Sequence, residues 1–520
     1  MAGAFLGLRG VNKSLWLDEA WVANSLLAGS LRGMLLYDRW LQTSPPLFLL
    51  TARAAVRLFG EKNWAFHLAP LLFAWAALGV FARVARQRLA AGFAVLAVAL
   101  FALSPAGLYY ARELKQYSAE LFAGTVLLWL SFAARRRGGL RLRWAIPALL
   151  VCIGLGYGAV VFLPGFFLAQ AGRLDPSGKR GPLRWKGLLL LFGTVLVAFG
   201  ILAVQVESNT SPLLHEFWFG EGAGSTGAQA RGVEVYSGVL LALLPGGDAL
   251  VTLERGAEAA LLSLVGLCIA GILAARIESP PRQRETMTTL GLCGLPVLGM
   301  LMGSLLEVYP WSLGTCLALL PCLGLGIVAL VQAVARAGVA APGPSPCAAL
   351  RLWLARLAAG LAALIALIAL STGTRRALAP VLPVEDVEGS VRFLERTVKP
   401  QDLLYVHASL AEPFRLYTHV QGWAAPEAVF GHTAWPCCAR GATRRETAAE
   451  IVARHDLATQ VPPGFRGSVW AVYTARADHW QYVGVDEPRL MADDMAGRGC
   501  RLVQDLNGVG VVVRRFSCGL

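Results

Sequence analysis

The chain has 520 residues, 56% of them apolar and only 15% charged, with a mean hydropathy of +0.55. That balance excludes an ordinary soluble domain and makes a lipid bilayer the expected solvent. The net charge of +14 does not mark a nucleic-acid binder, because the basic residues gather in short loops at 83–88, 135–143, 173–186, 276–284 and 336–356, the pattern of a cytoplasmic membrane face.

Read from the N-terminus, residues 1–8 are too few to anchor the polar stretch that begins at Arg9, and no cleavable leader is visible. The start therefore reads as truncated or as missing a first membrane helix. Asp18 and Glu19 follow, between Trp16 and Trp21. Residues 45–59 form a weak span interrupted by Arg53 and Arg57. Apolar runs long enough to cross about 30 Å of hydrocarbon come next. If the basic loops share one side, these runs alternate: 64–83 inward, 89–108 outward, 118–134 inward, 188–206 outward, 257–275 inward, 287–306 outward, 313–334 inward and 357–370 outward. Residues 144–171 begin and end on the basic side but cannot cross twice, so two short helices broken around Gly154-Leu-Gly-Tyr-Gly158 are expected. Residues 1–372 thus read as an α-helical polytopic membrane protein with about 9–11 membrane helices, its connections 109–117 and 207–236 on the outer side.

Residues 380–520 have a different composition and read as a small extracytoplasmic α/β domain. A helix is expected at 387–397, with strands at 402–407, 467–473 and 509–516. Six of the ten cysteines fall in or beside membrane segments; Cys437, Cys438, Cys500 and Cys518 lie in the tail. Outside the cytoplasm these can form disulfides, and one bridge from the 437–438 pair to Cys500 or Cys518 is expected.

Two segments carry the chemistry. Asp18 and Glu19 sit side by side at the outer interface, where carboxylates are costly unless solvated, paired or functional. They also suit the first turn of a helix expected over 20–36. The second segment, 104–117, concentrates Arg112, Glu113, Lys115 and the tyrosines Tyr109, Tyr110 and Tyr117 at the outer end of another span, so it can face Asp18. Arg112 and Lys115 suit an anionic phosphate. The outer loop holds His215, Glu216 and Trp218, followed by a Gly-rich stretch at 221–227, and reads as a mobile substrate lid.

Taken together, Leu15-Trp-Leu-Asp-Glu-Ala20, Ser44-Pro-Pro-Leu-Phe48, Tyr110-Ala-Arg-Glu-Leu-Lys-Gln-Tyr117 and Tyr309-Pro310 resemble the motif series of glycosyltransferase family 39. This branch of the GT-C membrane glycosyltransferases includes protein O-mannosyltransferases and the aminoarabinose transferases of bacterial lipid A. The resemblance covers roughly residues 10–335. It implies a GT-C-like fold in a bacterial inner membrane and transfer of a sugar, with inversion, from a polyprenyl-phosphate carrier to a lipid, glycan or protein acceptor on the outer face. It also implies that Asp18 is the general base with Glu19 in support, and that Arg112, Glu113, Lys115, Tyr110, Tyr117 and Tyr309 bind the donor. The chain departs from the pattern at Ser44, where many relatives carry His, and after Tyr309-Pro310, where no arginine follows. A divalent metal is considered for parts of the family, and Glu113 with His215 are the ligands this chain offers. A transporter or carrier flippase is the other class to weigh, but the acidic residues sit at span ends rather than mid-membrane, and no repeat between halves is visible; an inactive structural relative, suggested by the missing first helix, is the third reading.

Overall fold

The computed structural model describes residues 8, 10–137, 139–171, 182–219, 233–245, 256–277, 279–339, scattered positions between 353 and 375, 381–426, 428–434, 436, 438–454, 461, 464–476 and 484–519. The span expected at 357–370 lies almost wholly outside the described residues, as do the Gly-rich stretch 221–227, Cys347, Cys437, His455 and His479.

Near the N-terminus lie α1 (Leu17–Leu27), α2 (Leu31–Leu35) and α3 (Pro46–Phe59). The helix expected over 20–36 is instead broken between α1 and α2: Ser30 accepts a hydrogen bond from the Gly33 amide and starts a new helix. The two arginines of α3 do not stop it. Arg53 reaches back to donate to the carbonyl of Ala28 (2.8 Å), which caps the end of α1, and to that of Ser30 (3.2 Å) at the start of α2.

The membrane region continues with α4 (Asn63–Arg88), α5 (Ala91–Ala102), α6 (Pro105–Tyr110), α7 (Tyr117–Arg137), α8 (Leu142–Leu155), a 3₁₀ segment (Tyr157–Phe162) and α9 (Leu163–Ala171). It then runs through α10 (Pro182–Glu207), α11 (Pro212–Phe219), α12 (Val233–Ala242), α13 (Gly256–Ile277), α14 (Pro280–Leu305), a 3₁₀ segment (Thr315–Leu319) and α15 (Leu320–Val339). Among the described residues, Asn63–Arg88, Tyr117–Arg137, Lys186–Glu207, Pro280–Leu305 and Thr315–Ala337 are long and apolar enough to cross a bilayer. Ala91–Ala102, Leu142–Leu155, Tyr157–Ala171 and Val265–Arg276 are shorter apolar helices. The chain is a multi-pass integral membrane protein. The spans Tyr117–Arg137 and Thr315–Ala337 are mostly buried in the bundle, whereas Lys186–Glu207 is mostly exposed at its periphery.

The break in 144–171 falls at Gly156, between α8 and the 3₁₀ segment. The basic residues meet at one end of the bundle: Arg88 pairs with Glu285 at 3.1 Å, and Arg136 donates to Gln87 at 2.8 Å. Helix α4 therefore runs from the tail, where Asn63 accepts from the Tyr417 hydroxyl, to that basic end.

The tail contains α16 (Val387–Thr397), β1 (Leu403–Val406), α17 (Ala408–Gln421), β2 (Ala428–Phe430), α18 (Ala448–Arg454), β3 (Gly467–Thr474), α19 (Glu487–Gly497), β4 (Cys500–Asn507) and β5 (Val511–Cys518). Its five-stranded sheet has the order β2-β1-β3-β5-β4. β1 is parallel to both β2 and β3, and β5 is antiparallel to both β3 and β4. β3, at the centre, is almost wholly buried, whereas β4 is a largely exposed edge. A disulfide joins Cys500 to Cys518, which corrects the expected pairing: the two face each other across β4 and β5 with Cα atoms 4.1 Å apart, while Cys438 is buried elsewhere in the tail.

Candidate functional site

The tail does not hang free but grips the segment that carries Asp18. The Leu15 amide donates to the Tyr417 hydroxyl (2.6 Å), the Leu17 amide to Glu385 (3.3 Å), and the Glu388 amide to the Ser14 hydroxyl (3.2 Å). Asn24 and Tyr37 both donate to the buried Glu412 carboxylate, at 2.7 and 3.0 Å. Trp40 bridges Ala439 in a short antiparallel pairing.

Beneath Asp18 lies a buried ionic cluster. The Lys13 ammonium touches Glu19 at 2.8 Å and Glu113 at 2.7 Å, with all three side chains at most 4% exposed. The other Glu19 oxygen accepts from the Leu114 amide (2.7 Å) and meets His67 Nε2 (2.8 Å), while His67 Nδ1 faces the Val11 carbonyl at 2.7 Å. A carbonyl and a carboxylate both only accept, so this ring donates from both nitrogens beside an ionised Glu19. Glu113 uses its second oxygen to accept from the Trp16 indole (2.9 Å).

The electrostatics follow from this sharing. Burial alone would depress the Lys13 ammonium, but Glu19 and Glu113 outweigh it and hold its pKa above the ordinary lysine value. Burial would raise Glu19; Lys13 and then His67 overcome that and hold it well below the carboxylate range. Glu113 is pushed upward by burial and by the Glu19 charge, which together exceed the pull of Lys13. The cluster locks the 13–19 segment to the 113–115 segment, and that lock is what places Asp18 beside Lys115.

Asp18 and Lys115 open onto a cavity of about 1200 Å³, their charged atoms 3.6 Å apart. Its wall brings together Trp16, Trp21, Ser44, Tyr117, His215, Trp218 and Tyr309 from the membrane region with Ser409, Thr433 and Arg476 from the tail. Trp21 stacks on Trp40 at 4.8 Å, and Lys115 lies 5.9 Å from the Trp21 ring. Other residues singled out in the sequence lie elsewhere. Glu19 and Glu113 belong to the cluster below the cavity, Arg112 and Tyr110 are not in its wall, and Glu216 turns to Arg445 at 2.9 Å. The stretch 212–219 is the helix α11, with His215 and Trp218 on the cavity. Glu113 and His215 do not converge, because both Glu113 oxygens are committed to Lys13 and Trp16. Among the described residues no group of three or more His, Cys, Asp or Glu could hold a metal ion.

Glu385 gives the site a pH dependence. Its carboxyl bonds the Leu17 amide and the Thr474 hydroxyl (2.7 Å), and burial pushes its pKa up to about 7. A raised carboxyl pKa means the folded state holds the proton more tightly than the unfolded chain, so this contribution is fully present below about pH 4.5 and is lost as pH rises to 7. Melting wild type and Glu385→Gln side by side in detergent from pH 5 to 8 should show wild type losing stability relative to the variant as pH rises. A constant offset would refute this.

Residues missed in the sequence are the buried polar ones: Lys13, His67, Glu120, Glu385 and the cavity-lining Arg476. A lone lysine, histidine or glutamate next to apolar residues was the signal available, since such groups are costly to bury without partners.

No protein-family model matches the chain, and no curated protein matches it. Among solved structures, ArnT from Cupriavidus metallidurans in the apo state is similar over 99% of this chain and 96% of its own, with a TM-score of 0.54 at 14% identity. The same protein bound to undecaprenyl phosphate matches with a TM-score of 0.53, again at 14% identity, and covers the same shares. The oligosaccharyltransferase of Archaeoglobus fulgidus, in complex with Zn and sulfate, is more distant, with a TM-score of 0.43 at 11% identity over 90% of this chain and 67% of its own. From the buried cluster to the last strand, this chain is thus a multi-pass membrane protein that shares the fold of ArnT.

Proposed function

We propose that the chain is a membrane glycosyltransferase that moves a sugar from a polyprenyl-phosphate carrier to an acceptor presented at the tail side of the membrane. The observation that carries the reading is the Asp18–Lys115 pair opening on one large cavity between membrane helices and tail, in a fold shared with a protein whose structure holds undecaprenyl phosphate. Asp18 takes the proton of the acceptor hydroxyl as its oxygen bonds to the anomeric carbon. The bond from that carbon to the phosphate oxygen breaks, and Lys115 stabilises the phosphate that leaves. A single displacement inverts the anomeric carbon. Tyr117 and Tyr309 line the donor side, and His215 and Trp218 close over it; Glu19 and Glu113 act from behind the wall by holding the two segments in place.

An apolar groove of about 670 Å³ between α8 and α10 shares Leu202 with the cavity and gives the polyprenyl chain a place to lie. The clustering of Arg83, Arg86, Arg88 and Arg135–Arg137 at the far end supports a cytoplasmic basic end and an extracytoplasmic tail, with residues 1–372 and 380–520 as the two domains.

The test uses purified full-length protein in nanodiscs with undecaprenyl-phosphate mannose and undecaprenyl-phosphate aminoarabinose, and a total envelope extract as the acceptor source. Release of bare undecaprenyl phosphate together with sugar incorporated into the extract is expected from one of the donors. Movement of intact carrier between leaflets with no sugar transfer would sink the proposal in favour of a flippase.

A further inference from the structure

The broken segment at 154–158 serves a purpose beyond fitting two short helices between basic loops. Glu120, in the first turn of α7, is 1% exposed and accepts a hydrogen bond from the Tyr309 hydroxyl at 2.9 Å, across 189 positions of sequence. Two glycines of the break leave room for this pair. A Cβ on Gly156 would stand 2.3 Å from Glu120 Cγ, and one on Gly158 would stand 3.0 Å from Glu120 Oε2 and 3.4 Å from the Tyr309 hydroxyl oxygen. Glu120 is not in the cavity wall, but Tyr309 is. Tyr157, between the two glycines, lines the same wall, and its buried hydroxyl has no hydrogen-bond partner among the described residues.

We propose that Glu120 is a positioning residue that makes Tyr309 a hydrogen-bond acceptor for a hydroxyl of the sugar being transferred. A phenol has one hydrogen and two lone pairs. With its hydrogen committed to the buried Glu120 carboxyl, the Tyr309 oxygen presents only lone pairs to the cavity. A phosphate oxygen brings no hydrogen and is mismatched to such a group, whereas a sugar hydroxyl is matched. Phosphate recognition then falls to Lys115, and this wall reads the sugar, with the unpartnered Tyr157 hydroxyl free to serve a second polar group of the ring. A buried carboxylate in a membrane protein is costly enough that its retention marks function. The inference rests on the reading of the cavity as the donor site.

The experiment compares affinities for bare undecaprenyl phosphate and for undecaprenyl-phosphate mannose, on purified full-length protein in nanodiscs. Loss of one buried hydrogen bond predicts that Tyr309→Phe and Glu120→Leu each weaken the sugar-linked carrier by about tenfold, while the bare carrier changes by less than about twofold. The double variant should be no weaker than either single one, since both break the same contact. Glu120→Gln, whose amide oxygen still accepts from Tyr309, should restore most of the affinity. Gly158→Ala, which keeps every polar atom but crowds the pair, should reproduce the selective loss. Equal losses for both carriers would overturn the inference, because they would mean that the Tyr309 hydrogen goes to the phosphate; so would unchanged affinities in folded Glu120→Leu. If Glu120→Leu does not fold, Tyr309→Phe and Gly158→Ala decide by the same criterion. Wild type that binds neither carrier would instead remove the donor site itself.

Discussion

Asp18→Asn is expected to lower sugar transfer by about 10²- to 10⁴-fold, the range that a general base contributes, while leaving the protein as stable as wild type. The two halves of this expectation come from the same geometry. Asp18 is about a third exposed to the cavity and its partner Lys115 stands 3.6 Å away, so removing the charge costs less than about 1 kcal/mol of stability. The amide of asparagine keeps the size of the side chain but cannot take a proton from an acceptor hydroxyl. Its neighbour behaves oppositely. Glu19 accepts from Lys13, His67 and the Leu114 amide and is fully buried, so Glu19→Gln should reduce the yield of folded protein. Sugar release by Asp18→Asn within about threefold of wild type would eliminate Asp18 as the base, since general-base loss should exceed that range. A Glu19→Gln protein that melts like wild type would show the cluster to be dispensable.

Lys13→Met should produce the largest loss of stability, about 3–5 kcal/mol, because it leaves two buried carboxylates without their shared cation. The expected consequence reaches the chemistry as well. Among the described residues, Lys13 is the side chain that ion-pairs with a carboxylate in each of the 13–19 and 113–115 segments, so Asp18 and Lys115 should lose their common register. Adding Glu113→Gln removes one of the stranded charges and should recover more than about 1 kcal/mol, the non-additivity expected of groups in one network. Thermal unfolding in detergent, followed by tryptophan fluorescence, measures both. A single variant that melts with wild type, or a double variant that melts lower than the single one, would show that the cluster does not hold the two segments together.

Much of the architecture was legible locally. Apolar runs mark membrane helices because the hydrocarbon core demands a fixed length of apolar chain. The break at Gly156 was visible because residues 144–171 begin and end on the basic side with too few residues to cross twice. Three of the five strands could be read from their buried apolar runs, and α16 from its 3.6-residue pattern. β2 was missed because it is only three residues long, and β4 because an exposed edge strand carries a mixed sequence, Arg501-Leu-Val-Gln-Asp505, with no buried face to impose alternation.

The site divided differently. By itself, the sequence determined that Asp18, Lys115, Tyr117 and Tyr309 would lie near the ends of spans, and the direction count placed those ends on one side. Direction within a segment was another matter. Residues 111–116 are a turn, not a helix or strand, so no period says which side chains share a face. Lys115 points into the cavity and Glu113 two positions earlier points down to Lys13. Only the tertiary structure decided this, because the partners that draw each side chain are 100 residues away in the case of Lys13 and Glu113, 48 for His67 and Glu19, and 189 for Tyr309 and Glu120. The same holds for Cys500 and Cys518, paired by strand register rather than by spacing. Transfer of apolar chain into lipid depends on composition, which any stretch of sequence carries on its own. The placement of a buried charge depends on the group that neutralises it, and that group is chosen by the fold.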